Sequence, residues 1–334
     1  MATIADVARA AGVSVATVSR VMNGSGLVAE STARAVHAAI RELNYVPNQQ
    51  ARNLRRHESH SILVLLPNIT NPYYANVFAG INQRAQELGY NLFLCNTDER
   101  DVEQTLRDAI NCKRADGAIL LQTGYAEKWP QKYQDQMPLV QCCEYAGHGD
   151  IPRVSVDNYR AALEATQYLI GLGHKRIGTI SARNRVVSTR ERLQGFRDAM
   201  KQAGLPVGEA SIGYTDEDYD YNCSLDAARQ LLSRRDRPSA LFCISDSVAL
   251  AAVVAANEMG LRVPEDVSIV GFDDVIYTQM FHPYLTTVSQ PCPELGRQAV
   301  EMLHCLITQS ELPSRKVVLP HGFVIRESTC PPEK

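Results

Sequence analysis

The sequence has little that is typical of metalloproteins or disulfide-bonded proteins. Its nine cysteines include no CxxC pair and no paired spacing of the kind found at metal sites. Their number is odd, and several lie in apolar, strand-like stretches such as SALFCIS. This pattern favours reduced, buried thiols over a disulfide framework. We expect neither a metal nor a cofactor.

Long hydrophobic segments are also missing. No apolar run is long enough to cross a membrane. The N-terminal stretch MATIADVARAAGV has neither the charged region nor the apolar region of a signal peptide. The sequence therefore predicts a cytoplasmic protein without a membrane partner.

Motifs of common enzyme classes are absent as well. The chain contains no GxGxxG fingerprint, P-loop or GxSxG elbow. His174 lies between a predicted helix end and a strand, which favours capping or core packing over a role as a base. The pair Cys142–Cys143 ends a predicted strand and has no evident histidine partner. These features argue against an enzyme.

Positive charge is concentrated at the N-terminus. Residues 1–60 contain seven arginines and no lysine against four acidic residues, a balance of +3. The whole chain has a net charge of −3, so the remaining residues carry −6. A small basic module on an acidic body indicates that only this module contacts a polyanion.

The basic module has the pattern of a helix–turn–helix. Apolar residues recur at helical spacing over residues 4–11, Gly12 can end that helix, and Ser14 can cap the next one. The second helix lies within GVSVATVSRVMNG, and its inward face is formed by Val18, Val21 and Met22. A third helix is predicted from about Thr32 to Leu43. Such a three-helix unit places its second helix in the major groove of DNA.

The opposite face of the second helix is predicted to be exposed, and it carries Ala16, Arg20 and Asn23, with Val15 and Ser19 beside them. Arg20 can make a bidentate contact to guanine, the commonest specific base contact. Phosphates are the expected partners of Thr17, Ser19 and Asn23. The alternative is an amphipathic helical hairpin with solvated arginines, which the extent of the pattern over residues 4–47 disfavours.

Beyond Ser61 the pattern changes to βα alternation. SILVLLP, YNLFLCN, GAILLQT and PLVQCC are predicted to be buried strands, with helices at VFAGINQRAQELG and VEQTLRDAINC. After VSVDN the alternation restarts with the strands RIGTIS, ALFCIS and VSIVGF. Two parallel-sheet lobes are therefore expected.

In open α/β sheets, ligands bind outside the carboxyl ends of the strands, so the site should lie between the lobes. Tyrosines there would offer planar apolar faces to a sugar or base. The candidates at strand ends and nearby loops are Tyr73, Tyr74, Thr123, Asp157, Ser188, Arg192, Tyr219, Ser245, Asp273 and Gln290. Each has a simpler explanation: tyrosine as packing, aspartate as helix cap, and arginine as a surface ion pair.

The stretch TIADVARAAGVSVATVSRVMNG and the following ARAVHAAIRELNYVPNQQARNLR resemble the head and hinge of the LacI/GalR family of bacterial transcription regulators. TNPYY, GHKRIG, RLQGF, ISDSVALAA and VPEDVSIVGFDD extend the resemblance through the chain, in places towards the cytidine-regulator branch. The resemblance implies an α/β fold class: a three-helix helix–turn–helix head and a hinge helix, then a two-lobed periplasmic-binding-protein-like body with parallel sheets.

The resemblance also implies a domain division. The head would span 1–46, the hinge 47–60 and the effector-binding body 61–334. The first lobe would comprise about 61–157 and 290–319, and the second about 158–289 and 320–330. In the hinge, Leu54 matches the family's wedge leucine, which enters the minor groove. The DNA contacts expected on this basis are Ser14, Val15, Ala16, Thr17, Ser19, Arg20, Asn23, Arg52, Leu54 and Arg55.

The ten candidates in the body match the family's effector-site positions. One departure concerns Cys143, because relatives often carry an acid near that position and a polar anchor for the effector would be missing here. Val77–Gln86 and Glu294–Leu306 are the implied dimer elements. The predicted function is a repressor that binds a near-palindromic operator as a homodimer and responds to a small sugar or nucleoside. The alternative is a solute-binding protein or enzyme with the same body.

Overall fold

The computed structural model describes residues 2–22, 28–45, 59–97, 101–122, 128–147, 149–184, 186–217 and 219–333. It consists of two compact units, Met1–Ser59 and His60–Lys334. The predicted contacts Asn23, Arg52, Leu54, Arg55 and Thr123 lie outside the described residues, as does the predicted boundary between head and hinge. Within the described ranges, no helix is long and apolar enough to traverse a lipid bilayer.

The N-terminal unit contains three helices, α1 (Ile4–Ala10), α2 (Val15–Met22) and α3 (Glu30–Glu42). α1 begins with a capping box, because the Thr3 side chain accepts from the Asp6 amide while the Asp6 carboxylate accepts from the Thr3 amide. α3 begins two residues earlier than predicted.

The turn between α1 and α2 forms as the sequence predicts. Gly12 has φ +65°, a left-handed conformation in which a side chain would be strained. The Ser14 hydroxyl accepts from the Thr17 amide at 3.1 Å and thereby caps α2. Val7, Val18 and Val36, one from each helix, are fully buried. The helix–turn–helix and its core are therefore confirmed.

The first lobe of the body is built on a six-stranded parallel sheet. Its strands are β1 (Ser61–Leu66), β2 (Asn91–Asn96), β3 (Gly117–Leu120), β4 (Leu139–Cys142), β5 (Arg153–Val156) and β11 (Lys316–Leu319). Their order is β11-β5-β4-β3-β1-β2. The helices of this lobe are α4 (Pro72–Glu87), α5 (Val102–Asn111) and α10 (Cys292–Ile307).

The second lobe repeats this architecture. Its strands are β6 (Ile177–Ala182), β7 (Ile212–Thr215), β8 (Ala240–Cys243), β9 (Ser268–Asp273), β10 (Thr286–Ser289) and β12 (Gly322–Val324). Their order is β12-β10-β9-β8-β6-β7, and β12 is antiparallel to β10. The helices are α6 (Asn158–Gly171), α7 (Val187–Gln202), α8 (Tyr221–Leu232) and α9 (Asp246–Glu258). The predicted two parallel-sheet lobes are confirmed.

Two strand predictions need correction. β2 is not a buried strand: Phe93 is 50% exposed and Leu94 37% exposed. It lies at the sheet edge, where it pairs only with β1. β7, β11 and β12 are not among the predicted strands, because their three or four residues form apolar runs too short to stand out from loops.

The prediction of buried thiols holds for part of the set. All nine cysteines are free. Burial is observed for Cys142, Cys143, Cys243 and Cys292. Cys112 and Cys223 are exposed, contrary to prediction, because they lie at the end of α5 and in the first turn of α8 rather than in strands.

His174 has the predicted structural role. Its side chain is 2% exposed. One ring nitrogen, Nδ1, lies 2.9 Å from the Ser239 hydroxyl, and the other, Nε2, lies 2.9 Å from the Cys330 carbonyl. Nε2 thus joins the end of α6 to the C-terminal segment, and Nδ1 joins it to the residue before β8.

Helices α4 and α10 approach each other closely because both carry glycine at the contact. A Cβ on Gly80 would collide with the Pro293 backbone. A Cβ on Gly296 would collide with the Val77 carbonyl. The two segments predicted as dimer elements therefore pack against one another within the chain.

Candidate DNA-reading helix and interlobe ligand site

The outer face of α2 is exposed as the periodicity predicts. Val15 is 37% exposed, and Ala16 and Arg20 are exposed as well. Thr17 and Ser19 are partly exposed. The Ser14 hydroxyl lies 2.9 Å from the Thr17 hydroxyl, so the two side chains support one another at the start of the helix.

In the body, Arg192 of α7 occupies the centre of a buried polar cluster. Its Nε donates to Asn158 Oδ1 at 2.9 Å, and its Nη1 donates to the Ile244 carbonyl at 2.6 Å. The guanidinium lies over the Phe272 ring, 3.6 Å from its centroid, in cation–π geometry. The side chain is held by three elements of the second lobe and is not the surface ion pair of the simpler explanation.

Asp273, at the end of β9, faces Arg192. Its Oδ1 lies 3.7 Å from Arg192 Nη1 and accepts from Gln290 Nε2 at 2.7 Å. The backbone has φ +122°, a conformation that non-glycine residues rarely adopt and that accumulates at ligand sites. Burial raises the pKa of Asp273 to about 8, although the positive charge of Arg192 opposes this shift.

The tyrosines of the first lobe reach this cluster. The Tyr73 hydroxyl donates to Gln290 Oε1 at 3.4 Å, and the Tyr73 and Tyr74 rings meet edge to face at 5.2 Å. Burial raises the pKa of both phenols well above the ordinary value, and the negative charge of Asp273 adds to the shift in each. Residues from both lobes thus converge on Asp273.

The position of the predicted departure, Cys143, carries no acid, but the next residue does. Cys143 is followed by Glu144, which is 6% exposed and reaches the second lobe. Its carboxylate accepts from the Ser188 amide at 3.1 Å and from the Ser188 hydroxyl. Burial raises the pKa of Glu144, and the Ser188 hydrogen bonds oppose the shift. The sequence QCCEY contains this acid, one residue after Cys143.

The other candidates differ in burial and in the hydrogen bonds that they form. Asp157 is exposed, and its carboxylate caps α6 by accepting from the Arg160 amide at 2.9 Å. Its neighbour Asn158 is buried and contacts Arg192, which sequence reasoning missed. Ser245 is 8% exposed and caps α9. Tyr219 has φ +62°, and its hydroxyl lies 3.0 Å from that of Thr189.

Asp246, which sequence reasoning also missed, holds the backbone next to the cluster. It is fully buried, accepts from the Val275 amide at 2.9 Å and accepts from the Thr287 hydroxyl at 2.6 Å. Burial raises the pKa of Asp246 to about 6. Its contacts fix the segment that follows Asp273, where Asp274 pairs with Arg326 at 2.6 Å.

A helix–turn–helix with an exposed second helix, joined to a two-lobed body whose strand ends share a buried polar cluster, defines a DNA-binding regulator with a ligand-binding body. The chain belongs to the lacI family of bacterial regulatory proteins. Residues 3–48 match the model for that family, and residues 166–329 match the periplasmic binding protein-like domain.

Relatives that span nearly the whole chain include transcriptional repressors. The ribose operon repressor of Escherichia coli (strain K12) is 38% identical over 324 residues, which cover 96% of this chain and 97% of the relative. The HTH-type transcriptional repressor CytR of the same strain is 36% identical over 332 residues, 98% of this chain and 96% of the relative. These relatives confirm the predicted class, a transcriptional repressor rather than an enzyme or a free solute-binding protein.

Solved structures agree over nearly the full length. The lac repressor dimer bound to operator and the anti-inducer ONPF has a TM-score of 0.86 and 27% identity, covering 98% of this chain and 99% of that structure. A complex of the transcriptional regulator CelR with cellobiose has a TM-score of 0.75 and 33% identity, covering 98% and 100%. The predicted fold class is confirmed by these matches.

Proposed function

We propose that this chain is a cytoplasmic repressor that binds a near-palindromic operator as a homodimer and changes its operator affinity when a sugar or nucleoside enters the space between the lobes. The relatives act on a ribose operon or are solved with cellobiose and with operator DNA. The observation that carries the proposal is the cluster of Asp273, Arg192 and Gln290, which the first-lobe Tyr73 joins.

The proposed DNA contacts begin with the exposed face of α2. Arg20 reads a base edge in the major groove, while smaller side chains around it position the helix on the phosphates. Contacts of the hinge in the minor groove are proposed from the sequence alone. The complete proposed set is Ser14, Val15, Ala16, Thr17, Ser19, Arg20, Asn23, Arg52, Leu54 and Arg55.

The proposed ligand site joins two kinds of contact. Arg192 and Asp273 form charge-assisted hydrogen bonds with ligand hydroxyls, and tyrosine rings cover an apolar face of the ligand. Asp157 stays in the proposed set together with its cap on α6, and the buried Asn158 is added beside it. The proposed set is Tyr73, Tyr74, Thr123, Asp157, Asn158, Ser188, Arg192, Tyr219, Ser245, Asp273 and Gln290.

A ligand that touches both lobes can act as a switch. Its different affinity for two arrangements of the lobes shifts the equilibrium between them, and operator affinity shifts with it. Ordering of the hinge segment 47–60 on DNA is the proposed step at which lobe arrangement and operator binding are coupled.

A two-fold operator requires a two-fold dimer. The proposed interface uses Val77–Gln86 of α4 and Glu294–Leu306 of α10. A cavity of about 260 Å³ lies on these helices and is lined by Gly80, Gln83, Pro291, Pro293, Glu294 and Arg297.

Two measurements test the proposal. A thermal-shift screen of sugars and nucleosides should identify the ligand, because a ligand at 100 times its Kd adds about 2.7 kcal/mol of stability. A mobility-shift assay with genomic fragments that contain near-palindromic sites should then show a change in operator affinity with that ligand. A ligand that stabilises the body but leaves operator binding unchanged would contradict the switch.

A further inference from the structure

Helix α7 begins without a capping side chain of its own. Its N-cap residue is Val186, which has extended backbone and makes no side-chain hydrogen bond to the helix. The first turn contains no acidic residue. The first amides of a helix lack partners within the helix and carry partial positive charge, so they favour an anionic acceptor.

The missing cap is supplied by the other lobe. Glu144 follows β4 of the first lobe, and its carboxylate accepts from both the amide and the hydroxyl of Ser188 in the first turn of α7. Ser188 is 5% exposed and Glu144 6% exposed, so the contact is enclosed. A residue 44 positions away in sequence thus performs the role that the N-cap residue normally performs.

The backbone before Glu144 is shaped for this contact. The Glu144 amide donates to the Cys142 carbonyl at 2.9 Å, and the intervening Cys143 has φ +71°. A turn of this kind, closed between residues i and i+2 with positive φ, is rare and strained. Because such strain persists only where surrounding contacts maintain it, the turn points to a function for the side chain that it directs.

Acidic side chains lie near this contact, together with the cation Arg192. Glu191, one turn further along α7, accepts from the Tyr145 hydroxyl of the first lobe at 3.1 Å. Burial is the main cause of the raised pKa of Glu144 and of Asp273, and the charge of Arg192 opposes both shifts. The charge of Glu191 adds to the shift of Glu144, and the charge of Glu144 adds to that of Asp273. Two donors of Arg192, Nε and Nη1, are directed at Asn158 and Ile244. An anionic ligand would meet a helix N-terminus that already holds a carboxylate.

We propose that Glu144 is a specificity-determining residue, which caps α7 across the lobes and thereby makes the interlobe site accept uncharged ligands and reject phosphorylated or carboxylate-bearing ones. The proposal rests on the proposed function for the location of the ligand site. The cap itself is a property of the ligand-free chain and can be tested without knowledge of the effector.

Hydrogen exchange measured by mass spectrometry tests the cap. In Glu144→Ala, the Ser188 amide in the first turn of α7 should exchange about fivefold faster, the equivalent of about 1 kcal/mol of capping energy. Acetate or inorganic phosphate should restore the protection of this amide by occupying the vacated position, and should leave the wild-type protein unchanged. The matched control is Glu209→Ala, because Glu209 is exposed and pairs with Arg197 of the same helix at 3.0 Å.

Unchanged exchange in Glu144→Ala, or an equal response to acetate in variant and wild type, would overturn the cap. If Glu144→Ala does not fold, Glu144→Gln replaces it. Its neutral amide oxygen is a weaker acceptor, so first-turn exchange should still rise, and an unchanged rate would again overturn the cap.

Calorimetry with D-ribose and D-ribose 5-phosphate tests the rejection of anions. Wild type should bind the phosphate ester at least about tenfold more weakly than the sugar, a difference of about 1.4 kcal/mol in binding free energy. Glu144→Gln should narrow this difference in affinity, because it removes the negative charge of the Glu144 carboxylate. Equal binding of both by wild type would overturn the inference while the proposed function stands. Binding of neither would count against ribose as the effector, and the exchange experiment would still decide the cap.

Discussion

Tyr73 of the first lobe and Asp273 of the second are joined by the amide of one residue, Gln290. The Gln290 oxygen accepts from Tyr73 at 3.4 Å, and its nitrogen donates to Asp273 at 2.7 Å. Gln290 lies between β10 and α10, where the chain returns from the second lobe to the first. A relative movement of the lobes therefore acts directly on the residues proposed to hold the ligand.

Asp273 should make the ligand-free body less stable as pH rises. Burial raises its pKa to about 8, whereas an unfolded aspartate has a pKa of about 3.9. Between these values the folded state binds more protons, so the stability from Asp273 is full below about pH 4 and is lost as pH rises through about 8. Asp273→Asn removes this pH-dependent loss. The free energy of unfolding of the variant, relative to wild type, should therefore be at least about 1.4 kcal/mol higher at pH 8 than at pH 5.

Urea unfolding at both pH values measures that gain. Asparagine has the same shape as aspartate and keeps an oxygen for Gln290 Nε2, so the substitution changes mainly the charge. Asp246, whose burial also raises its pKa, remains in both proteins. If the stability difference between variant and wild type is the same at pH 5 and at pH 8, the Asp273 carboxylate is ionised throughout this range.

Arg192→Leu should cost about 2–6 kcal/mol of stability, because it leaves the buried Asn158 Oδ1 and the Ile244 carbonyl without their donor, at about 1–3 kcal/mol for each unsatisfied group. It also removes the cation–π contact with Phe272. Arg197→Leu is the matched control on the same helix, since its side chain is 38% exposed and its partner Glu209 is 75% exposed. An exposed pair of this kind contributes about 0–1 kcal/mol. Similar losses of stability in both variants would show that the buried contacts of Arg192 contribute no more than an exposed ion pair.

The sequence predicts the fold better than it predicts the site. β1, β6, β8 and β9 are apolar runs between helical segments, so their type and burial follow from local pattern. The exposure of β2 depends on its position at the sheet edge, which alternation does not reveal. The order of the strands places β2 there, and that order is a property of the whole sheet.

Within the site, Arg192 and Asp273 are identified by their positions near the start of a helix and at a strand end. Glu144, Asn158 and Asp246 were missed for a physical reason. Charged and amide side chains are usually exposed, so nothing local distinguishes the few that are buried. Glu144 becomes a buried cap only when Ser188 of the other lobe meets it, and this partner is distant in sequence.

Gly296→Ala should destabilise the body by about 1–3 kcal/mol through overpacking. An added methyl group would collide with the Val77 carbonyl and the Ile81 amide of α4, and backbone atoms cannot move aside as a flexible side chain does. Gly171→Ala is the matched control at the end of α6, because a Cβ there meets nothing within 4 Å. That control should be neutral or stabilising by about 0.5–1 kcal/mol. Thermal unfolding of both variants measures the contrast, and an equally stable Gly296→Ala protein would show that α4 and α10 separate at little cost.

Arg20→Ala should weaken binding to a specific operator by about 1–3 kcal/mol per half-site, the value of a bidentate contact to guanine. Arg20 is exposed on α2, whereas Val18 of the same helix is fully buried, so the substitution leaves the core of the head intact. Mobility shifts on a genomic near-palindromic site and on unrelated DNA at low salt measure the two affinities. Binding to unrelated DNA should change far less, because it depends mainly on phosphate contacts. Arg34→Ala is the control for loss of one positive charge, since Arg34 is a 75% exposed side chain on α3 that pairs with Glu30. If Arg20→Ala weakens binding equally on both DNAs, then Arg20 contacts phosphate and the base-reading role belongs to another residue of α2.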